Sequence, residues 1–337
     1  HYSLCYNNVE EGEKMKKIAI LTSGGDAPGM NAAIRAVVRS AFHYGHEVYG
    51  IYDGYKGLYE GNIEKLERES VSRIINRGGT VLGSARFKEF EQVAYQEAAA
   101  KRLNDLGIEG LVVIGGDGTF MGAQALMRQG IKAIGIPGTI DNDIASTDYT
   151  IGFYTALQTI VDSVDKLRDT SFSHHRCSVV EVMGRHCGDL ALYAGIAVGS
   201  EFIITPETGF DKEKTIQAVQ DSYERQKRHA IVVVTEKMTD VHQLAKDIDA
   251  NTEYETRATV LGHVQRGGSP VAFDRVLATE MGEHAVMLLH NDISSRVIAL
   301  KGMDITDYDM EEALKMKKPV TNKRYGLYGR LLNRRSH

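Results

Sequence analysis

One segment is the most informative about architecture: A-I-G-I-P-G-T-I-D-N-D-I, residues 133–144. Its apolar start, residues 133–136, is typical of a buried strand, and the glycine and acidic residues after it are typical of a loop. A loop at a strand end can direct Asp141 and Asp143 at a substrate. Asp and Asn also occupy ordinary turns, where they hydrogen-bond their own backbone. The segment therefore has to be interpreted together with similar segments elsewhere in the chain.

Two further Gly- and Asp-rich segments follow short β-rich runs in the same way. They are G-G-D-A-P-G-M-N, residues 24–31, and G-G-D-G-T, residues 115–119. Open α/β sheets bind ligands beyond the carboxyl ends of their strands, and glycine lets backbone N–H groups approach phosphate oxygens. Phosphate chemistry is therefore the leading interpretation, and Asp117 suits Mg²⁺, which prefers oxygen ligands. Neither the Walker pattern nor the dinucleotide pattern G-x-G-x-x-G fits these loops.

Length and composition predict a soluble globular protein of two domains. The chain has 337 residues, more than a single core usually holds, and 42% of them are hydrophobic while 25% are charged. The formal net charge of −5 argues against a broad nucleic-acid surface. An anionic substrate needs only a local cluster of arginines, so the net charge does not exclude phosphates.

Cysteine usage and hydropathy predict a cytoplasmic location. Cys5, Cys177 and Cys187 are an odd number without C-x-x-C spacing, which favours reduced thiols over a zinc site or a disulfide framework. No apolar run approaches the roughly 20 residues that cross a bilayer, and residues 1–14 are too polar for a signal peptide. We expect residues 1–14 and 333–337 to be tails outside the folded core.

Strand-like and helix-like segments alternate along the chain. Runs rich in Ile and Val predict strands at residues 18–22, 48–52, 111–114, 133–136, 178–183 and 231–235. Helical periodicity predicts helices at residues 30–43, 92–106, 153–168, 212–226 and 273–289. This alternation predicts the α/β class, with a parallel sheet covered on both faces.

Two later segments, M-G-R-H-C-G-D at residues 183–189 and L-G-H-V-Q-R-G-G-S-P at residues 261–270, add Arg and His to the pattern. Together with G-G-D-G-T and P-G-T-I-D-N-D, they resemble the bacterial ATP-dependent 6-phosphofructokinases over residues 15–332. The resemblance implies two Rossmann-like α/β/α sandwich domains with largely parallel sheets. It implies a larger ATP-binding domain, residues 15–152 plus 265–318, and a smaller fructose 6-phosphate-binding domain, residues 153–264 plus 319–332.

The resemblance also implies transfer of the ATP γ-phosphoryl group to the 1-hydroxyl of fructose 6-phosphate, a step of glycolysis. Asp141 matches the family's proton acceptor and Arg185 its transition-state cation. Thr139 matches a hydrogen-bond donor to the transferring phosphoryl group, Asp143 a support of the loop, and Asp117 the magnesium position. The implied nucleotide contacts are Gly25, Tyr55, Arg86, Phe87, Gly116, Asp117, Gly118, Thr119 and Gly122. The implied sugar-phosphate contacts are Thr139, Ile140, Asp141, Arg176, Met183, Gly184, Arg185, Glu236, Arg257, His263 and Arg266.

In this family Arg176 and Arg257 come from a neighbouring subunit, so the resemblance implies a homotetramer with shared active sites. It also implies ADP and phosphoenolpyruvate as effectors, bound by Arg35, Arg39, Arg68, Arg168, Glu201, Arg225 and Lys227. The sequence departs from the family at Phe87, often Cys, at Arg73, often Asp, and at Lys237, usually Gly. With Arg73, regulation is expected to be weakened or inverted, or the site to be a retained scaffold with little response.

Three other functions remain to be compared with this one. A pyrophosphate-dependent relative usually carries Asp at the position of Gly118 and Lys at that of Gly138. A catalytically silent metabolite sensor would have kept the fold without the chemistry, against which the intact Asp117, Asp141 and Arg185 argue. A lipid or NAD kinase shares G-G-D-G-T but has no use for the Arg-Gly motifs.

Overall fold

The computed structural model describes residues 15–319 and 322–331 of the chain. Both predicted tails, 1–14 and 333–337, lie outside the described residues. The chain divides into two compact units, the first running up to Gly138 and resuming at Arg275–Met316, the second comprising Thr139–Asp274 and the chain from Lys317 onward. These boundaries differ from the predicted 152/153, 264/265 and 318/319, and the substrate that each unit binds stays a prediction.

Strands and helices alternate through most of the described chain. The strands are β1 (Lys17–Thr22), β2 (Glu47–Ile51), β3 (Ile63–Leu66), β4 (Gly110–Gly115), β5 (Lys132–Pro137), β6 (Arg176–Val182), β7 (Phe202–Ile204), β8 (Ala230–Thr235), β9 (Glu255–Val260), β10 (Arg296–Lys301) and β11 (Asp304–Asp309). The helices are α1 (Met30–His43), α2 (Gly54–Glu60), α3 (Val93–Asp105), α4 (Asp117–Met127), α5 (Phe153–His174), α6 (Asp189–Val198), α7 (Lys212–Glu224), α8 (Val241–Asn251), α9 (Ala272–His290), α10 (Met310–Lys315) and α11 (Asn322–Leu331).

The first unit is built on a seven-stranded sheet in the order β11-β10-β5-β4-β1-β2-β3. Its central strands are parallel, and antiparallel pairing occurs only at its two edges, between β2 and β3 and between β10 and β11. Helix α1 buries one face that includes Ala33 and Val37. Gly282 of α9 lies so near α1 that a Cβ there would be 2.6 Å from the Cβ of Ala36. Parallel order places the loops after β1, β4 and β5 at one edge of this sheet.

The second unit is built on a four-stranded parallel sheet in the order β7-β8-β6-β9. Its core contains the apolar side chains of β6, β7 and β8 packed against helices α7 and α8. The fully buried Asp274 accepts hydrogen bonds from the backbone N–H groups of Gly152 and Thr155, at 3.0 and 2.8 Å. These bonds satisfy donors at the first turn of α5, whose own Gly152 offers no side-chain cap. The start of α5, just after the Asp-Asn-Asp segment, is thereby held in place.

The predicted α/β class is confirmed, and each predicted strand and helix is present with shifted ends, apart from α1, whose bounds agree with the prediction. Helix α4 was not predicted because its sequence, D-G-T-F-M-G-A-Q-A-L-M, contains two glycines that lower helix propensity. Helix α5 continues to His174, beyond the predicted residue 168. Among the described residues, no helix combines the length and the apolar character that spanning a membrane requires.

Candidate active site

The loops after β1 and β4 of the first unit form one close-packed structure. The N–H group of Ser23 donates to the carbonyl oxygen of Ile114 at 3.0 Å, and the hydroxyl of Thr119 donates to the carbonyl oxygen of Ser23 at 3.1 Å. A Cβ on Gly115 would lie 2.4 Å from that same carbonyl oxygen, so only glycine fits there. Helix α4 begins at Asp117, and a helix N-terminus with glycines beside it favours anions. The geometry therefore supports phosphate binding at Gly116, Gly118 and Thr119.

Tyr55 packs against helix α4 and forms a hydrogen bond to its first turn. Its hydroxyl donates to the carbonyl oxygen of Thr119 at 2.5 Å, and its ring stacks on Phe90 with centroids 4.5 Å apart. A Cβ on Gly122 would lie 2.5 Å from the Tyr55 ring, which explains glycine at that position. Burial raises the pKa of Tyr55, so its hydroxyl stays protonated. Tyr55 is 6% exposed, which suits support of the phosphate loop, and its predicted direct contact with the nucleotide stays a prediction.

Asn31, not predicted as a functional residue, fixes the loop that precedes Arg86 and Phe87. Its side-chain amide donates to the carbonyl oxygens of Arg77 and Gly78, and its Oδ1 accepts from the N–H group of Val81 at 2.8 Å. Gly25 and Arg86 are exposed, as predicted nucleotide contacts should be. The signal for Asn31 was present in the sequence, because it closes the segment G-G-D-A-P-G-M-N.

The loop after β5 carries the predicted base. Asp141 is 4% exposed, and its Oδ1 is buried without a hydrogen-bond partner. Burial, followed by the charge of Asp143, raises the pKa of Asp141 to about 6, while Arg185 opposes the rise. The hydroxyl oxygen of Thr139 accepts from the N–H group of Asp141 at 3.2 Å. A carboxylate with such a pKa and one unused oxygen is suited to accept a proton near neutral pH.

Arg185 lies on a strained turn directly after β6. Its φ angle is 53°, and Gly184 before it has a φ of 138°, where a Cβ would be 2.5 Å from the carbonyl oxygen of Cys187. The Nε of Arg185 is 3.6 Å from Oδ2 of Asp141, and its backbone N–H donates to Oε1 of Glu236 at 3.2 Å. Backbone strain of this kind is kept where the surroundings determine it. The second unit therefore brings together Asp141, Arg185 and Glu236.

The segment after β9 joins the same cluster through Gln265, which was not predicted. Gln265 is fully buried, and its Oε1 accepts from the N–H group of Met183 at 3.1 Å. Arg266 lies near enough to Asp141 to lower its pKa through charge, and His263 is exposed on the same short 3₁₀ helix, Gly262–Arg266. Ile140 and Met183 are buried, so any contact they make with a sugar is expected to use backbone atoms.

Arg176 and Arg257 lie apart from this cluster. Arg176 is the first residue of β6 and pairs with Glu255 of β9, whereas the site loop leaves the far end of β6 after Val182. A seven-residue strand separates its ends by about 20 Å. Both guanidinium groups bind the carboxylate of Glu255, with Arg176 Nε 2.9 Å from Oε2, and these bonds hold the pKa of Glu255 below its ordinary value. Arg176 is thus separated from the site of its own chain.

The predicted effector residues form one cluster in each unit. In the first unit, burial and the guanidinium groups of Arg39 and Arg68 lower the pKa of Arg35. In the second, Lys227 pairs with the buried Glu201 at 2.7 Å, and Arg168 donates to the carbonyl oxygen of Val198. Arg225 is exposed beside this cluster. Mutual repulsion of three guanidinium groups indicates a surface that favours an anion.

Among the described residues, no group of three or more His, Cys, Asp or Glu side chains could hold a metal by itself. Mg²⁺ is commonly held by one or two carboxylates together with substrate phosphates. Asp117 at the start of α4 is a carboxylate of that kind.

Comparison with known proteins identifies the family of the chain. A sequence model described as phosphofructokinase matches residues 17–289. A protein of Vibrio vulnificus called ATP-dependent 6-phosphofructokinase is 60% identical over 309 residues, which are 91% of this chain and 97% of that protein. A protein of the same name from Aliivibrio fischeri is 59% identical over 306 residues, 90% of this chain and 96% of that protein. The chain belongs to the phosphofructokinase family.

Solved structures agree with the fold. The phosphofructokinase of Saccharomyces cerevisiae superposes with a TM-score of 0.88 at 34% identity, covering 93% of this chain and 50% of that chain. A pyrophosphate-dependent phosphofructokinase of Marinobacter aquaeolei superposes with a TM-score of 0.83 at 22% identity, covering 92% of this chain and 86% of that chain, and this likeness concerns the fold alone. The predicted family and phosphofructokinase fold are confirmed.

Asp141→Asn should stabilise the protein above pH 6. The raised pKa of Asp141 means that its ionised form disfavours folding, by up to about 3 kcal/mol for a shift of about two pKa units. The amide of the variant resembles the protonated acid. The increase in the free energy of unfolding should therefore be complete above pH 6 and should disappear as the pH falls toward 3.8. Thermal unfolding at pH 8, 6 and 4.5 measures it, with the exposed Asp304→Asn as control. Equal unfolding temperatures of variant and parent at pH 8 would contradict the burial cost.

Proposed function

We propose that the chain transfers the γ-phosphoryl group of ATP to the 1-hydroxyl of D-fructose 6-phosphate, giving fructose 1,6-bisphosphate and ADP. The observation that carries the proposal is the carboxylate of Asp141, buried with one oxygen unused and 3.6 Å from the guanidinium of Arg185. The name shared by relatives that are about 60% identical over most of both chains supports the same activity. The predicted enzyme class, an ATP-dependent 6-phosphofructokinase, is confirmed at that level.

Each step of the reaction has a group that suits it. Phosphoryl transfer needs alignment of the hydroxyl, removal of its proton and stabilisation of charge on the moving group. Asp141 accepts the proton as the hydroxyl oxygen forms its bond to the γ-phosphorus and the bond to ADP breaks. Arg185, with about half of its side chain exposed, is free to turn from Asp141 toward the phosphoryl oxygens. Its departure removes the charge that lowers the pKa of Asp141, which strengthens the base.

We propose Mg²⁺ as the metal, held by Asp117 together with the ATP phosphates. When bound, the ion supplies positive charge that offsets charge on the phosphate oxygens. Gly116, Gly118 and Thr119 bind the phosphates through backbone N–H groups at the start of α4. Thr139 donates a hydrogen bond to the transferring phosphoryl group, Asp143 supports the loop of Asp141, and Glu236 accepts a hydrogen bond from a hydroxyl of the sugar. The metal, the effectors and the cytoplasmic location remain proposals that rest on the resemblance.

The space around two glycines bears on the choice of phosphoryl donor. A Cβ on Gly118 would meet no atom within 4 Å, so the open position leaves room for the part of ATP beyond the two terminal phosphates. A Cβ on Gly138 would lie 3.0 Å from Ile114 and 3.2 Å from Met30, so a lysine there would need its neighbours to shift. Both observations favour ATP over pyrophosphate as the donor.

We propose further that Arg176 and Arg257 bind the 6-phosphate at the site of a neighbouring chain in a homotetramer. Arg176 lies about 20 Å from the site loop at the other end of its own strand, which supports a role in another chain. Its forked donors suit a phosphate once Glu255 releases them. His263 and Arg266, in contrast, lie next to the site loop of the same chain.

A coupled assay with either ATP or pyrophosphate tests the reaction. We expect turnover with ATP only, and a fall in kcat below about pH 6 because a protonated Asp141 cannot accept the proton. Asp141→Asn should lower kcat by on the order of 10²- to 10⁴-fold and leave the KM for fructose 6-phosphate similar. Turnover with pyrophosphate alone would favour the other donor, and none with either would favour a sensor.

Co-expression of two impaired chains tests the shared site. Asp141→Asn and Arg176→Ala chains should each be poorly active, but in mixed tetramers about a quarter of the sites combine an intact Asp141 with an intact partner Arg176. Activity should therefore return at low fructose 6-phosphate. The matched control pairs Asp141→Asn with Arg185→Ala, whose residues lie in one chain 3.6 Å apart, and should recover nothing. Recovery in neither mixture would place Arg176 outside a neighbour's site.

A further inference from the structure

Asn142, between the two acids of the Asp-Asn-Asp segment, is the most constrained residue of the loop. It is 1% exposed and has a left-handed φ of 52°. Its Oδ1 accepts from the N–H group of Thr150 at 3.0 Å, and its Nδ2 donates to the carbonyl oxygen of Asp148 at 3.2 Å. The conformation of Asn142 sets the direction in which the backbone presents Asp141. Whatever holds its side chain therefore holds Asp141 in place.

The strongest of these bonds leads out of the loop. Asn142 Nδ2 donates to Oδ2 of Asp189 at 2.8 Å, and the Sγ of Cys187 lies 3.6 Å from the carbonyl oxygen of Asn142. Asp189 is the first residue of α6, where a negative charge is favoured. Asp189 and Arg185 belong to the same segment, M-G-R-H-C-G-D. One segment thus carries the catalytic cation and the support of the base.

The end of the described chain supports Asp189 in turn. Lys318 Nζ is 3.0 Å from Oδ2 of Asp189 and makes no hydrogen bond to any described residue, so the contact is an ion pair alone. The two side chains are 22% and 10% exposed, so water screens this pair less than a surface pair. A second connection runs beside it, because Tyr325 of α11 donates to Glu207 at 3.1 Å and Glu207 accepts from the N–H group of Gly188 at 2.9 Å. Lys318 therefore contacts Asp189, the first residue of α6, and Tyr325 acts through Glu207 on Gly188, the residue before it.

We infer that Asp189 and Lys318 are positioning residues, which align Asp141 with the acceptor hydroxyl by holding Asn142. This inference rests on the proposed role of Asp141 as the base. Without Lys318, the carboxylate of Asp189 loses its charged partner and can turn toward water, which loosens the hydrogen bond from Asn142. Misplacement of a reacting group by about 1 Å can cost up to about 10²-fold in rate. The effect should fall on kcat, since neither residue belongs to the proposed sugar-phosphate contacts.

Kinetics of three lysine variants test the role of Lys318. Lys318→Met should lower kcat on the order of ten-fold with the KM values for ATP and fructose 6-phosphate little changed. Lys318→Arg, which keeps the charge, should recover most of the loss. The exposed neighbour Lys317→Met is the matched control and should behave as the parent. A kcat for Lys318→Met within about two-fold of the parent, in a protein that unfolds at the same temperature, would overturn the inference.

If Lys318→Met does not fold, inverting the donor and the acceptor of the Asn142–Asp189 hydrogen bond tests the same inference. Asn142→Asp places a carboxylate where Nδ2 now lies 2.8 Å from Asp189, and kcat should fall by at least about 10²-fold through like-charge repulsion. Adding Asp189→Asn restores a hydrogen-bond donor opposite the new carboxylate. The kcat of the double variant should be at least about ten-fold higher than that of Asn142→Asp alone. No recovery in the double variant would contradict the connection. Asp141→Asn serves as reference: if it retains full kcat, the proposed function fails, whatever these variants show.

Discussion

Burial of the Asp141 carboxylate with one oxygen left without a hydrogen bond is the constraint on which the rest of the second unit depends. Such a group disfavours folding when it is ionised, so its surroundings must hold it in place. Asn142, Thr150 and Asp274 provide this through buried hydrogen bonds on both sides of the loop. The result is a carboxylate whose pKa is raised to about 6, which suits the proposed role of a base near neutral pH. The buried carboxylate lowers the stability of the folded protein while it raises the basicity of Asp141, a trade-off that is common at catalytic sites.

The two ends of strand β6 carry different groups of proposed site residues. Its carboxyl end leads into Met183 and Arg185, which lie beside Asp141, whereas its amino end carries Arg176 in a pair with Glu255. Because the strand is rigid, the two arginines of one chain cannot approach a single small substrate together. A role for both in sugar-phosphate binding requires a second copy of the chain. Strand length therefore supports the proposed assembly, which otherwise rests on the resemblance.

The sequence was sufficient for the fold class and for the groups at strand ends, because periodicity and glycine placement are local signals. It was insufficient for residues that act through distant partners. Asp274 stabilises the start of α5 across 119 residues, and Gln265 binds Met183 across 82. Nothing in the local sequence of either distinguishes it from an ordinary polar side chain. Helix α4 was missed for the opposite reason, since the glycines that fit it to phosphates weaken its helical signal.

Helix α1 joins two sites of the first unit in one rigid element. Asn31, in its first turn, holds the loop before Arg86, and Arg35 and Arg39, further along, belong to the proposed effector cluster with Arg68. An anion that relieves repulsion among these guanidinium groups would therefore act on the same helix that holds the proposed nucleotide loop. Such coupling needs two discrete arrangements of the helix, each favoured by a different ligand.

Arg73 adds a positive charge close in sequence to Arg68, a member of that cluster. It takes a left-handed φ of 61° two residues after the 3₁₀ helix Arg68–Val71, which packs on α1. If the resemblance is right that relatives carry an acid there, Arg73 adds positive charge and removes a ligand for any cation that accompanies a nucleotide. The departure at Arg73 therefore bears on which effector the proposed site selects, while the link through Asn31 to the nucleotide loop is retained.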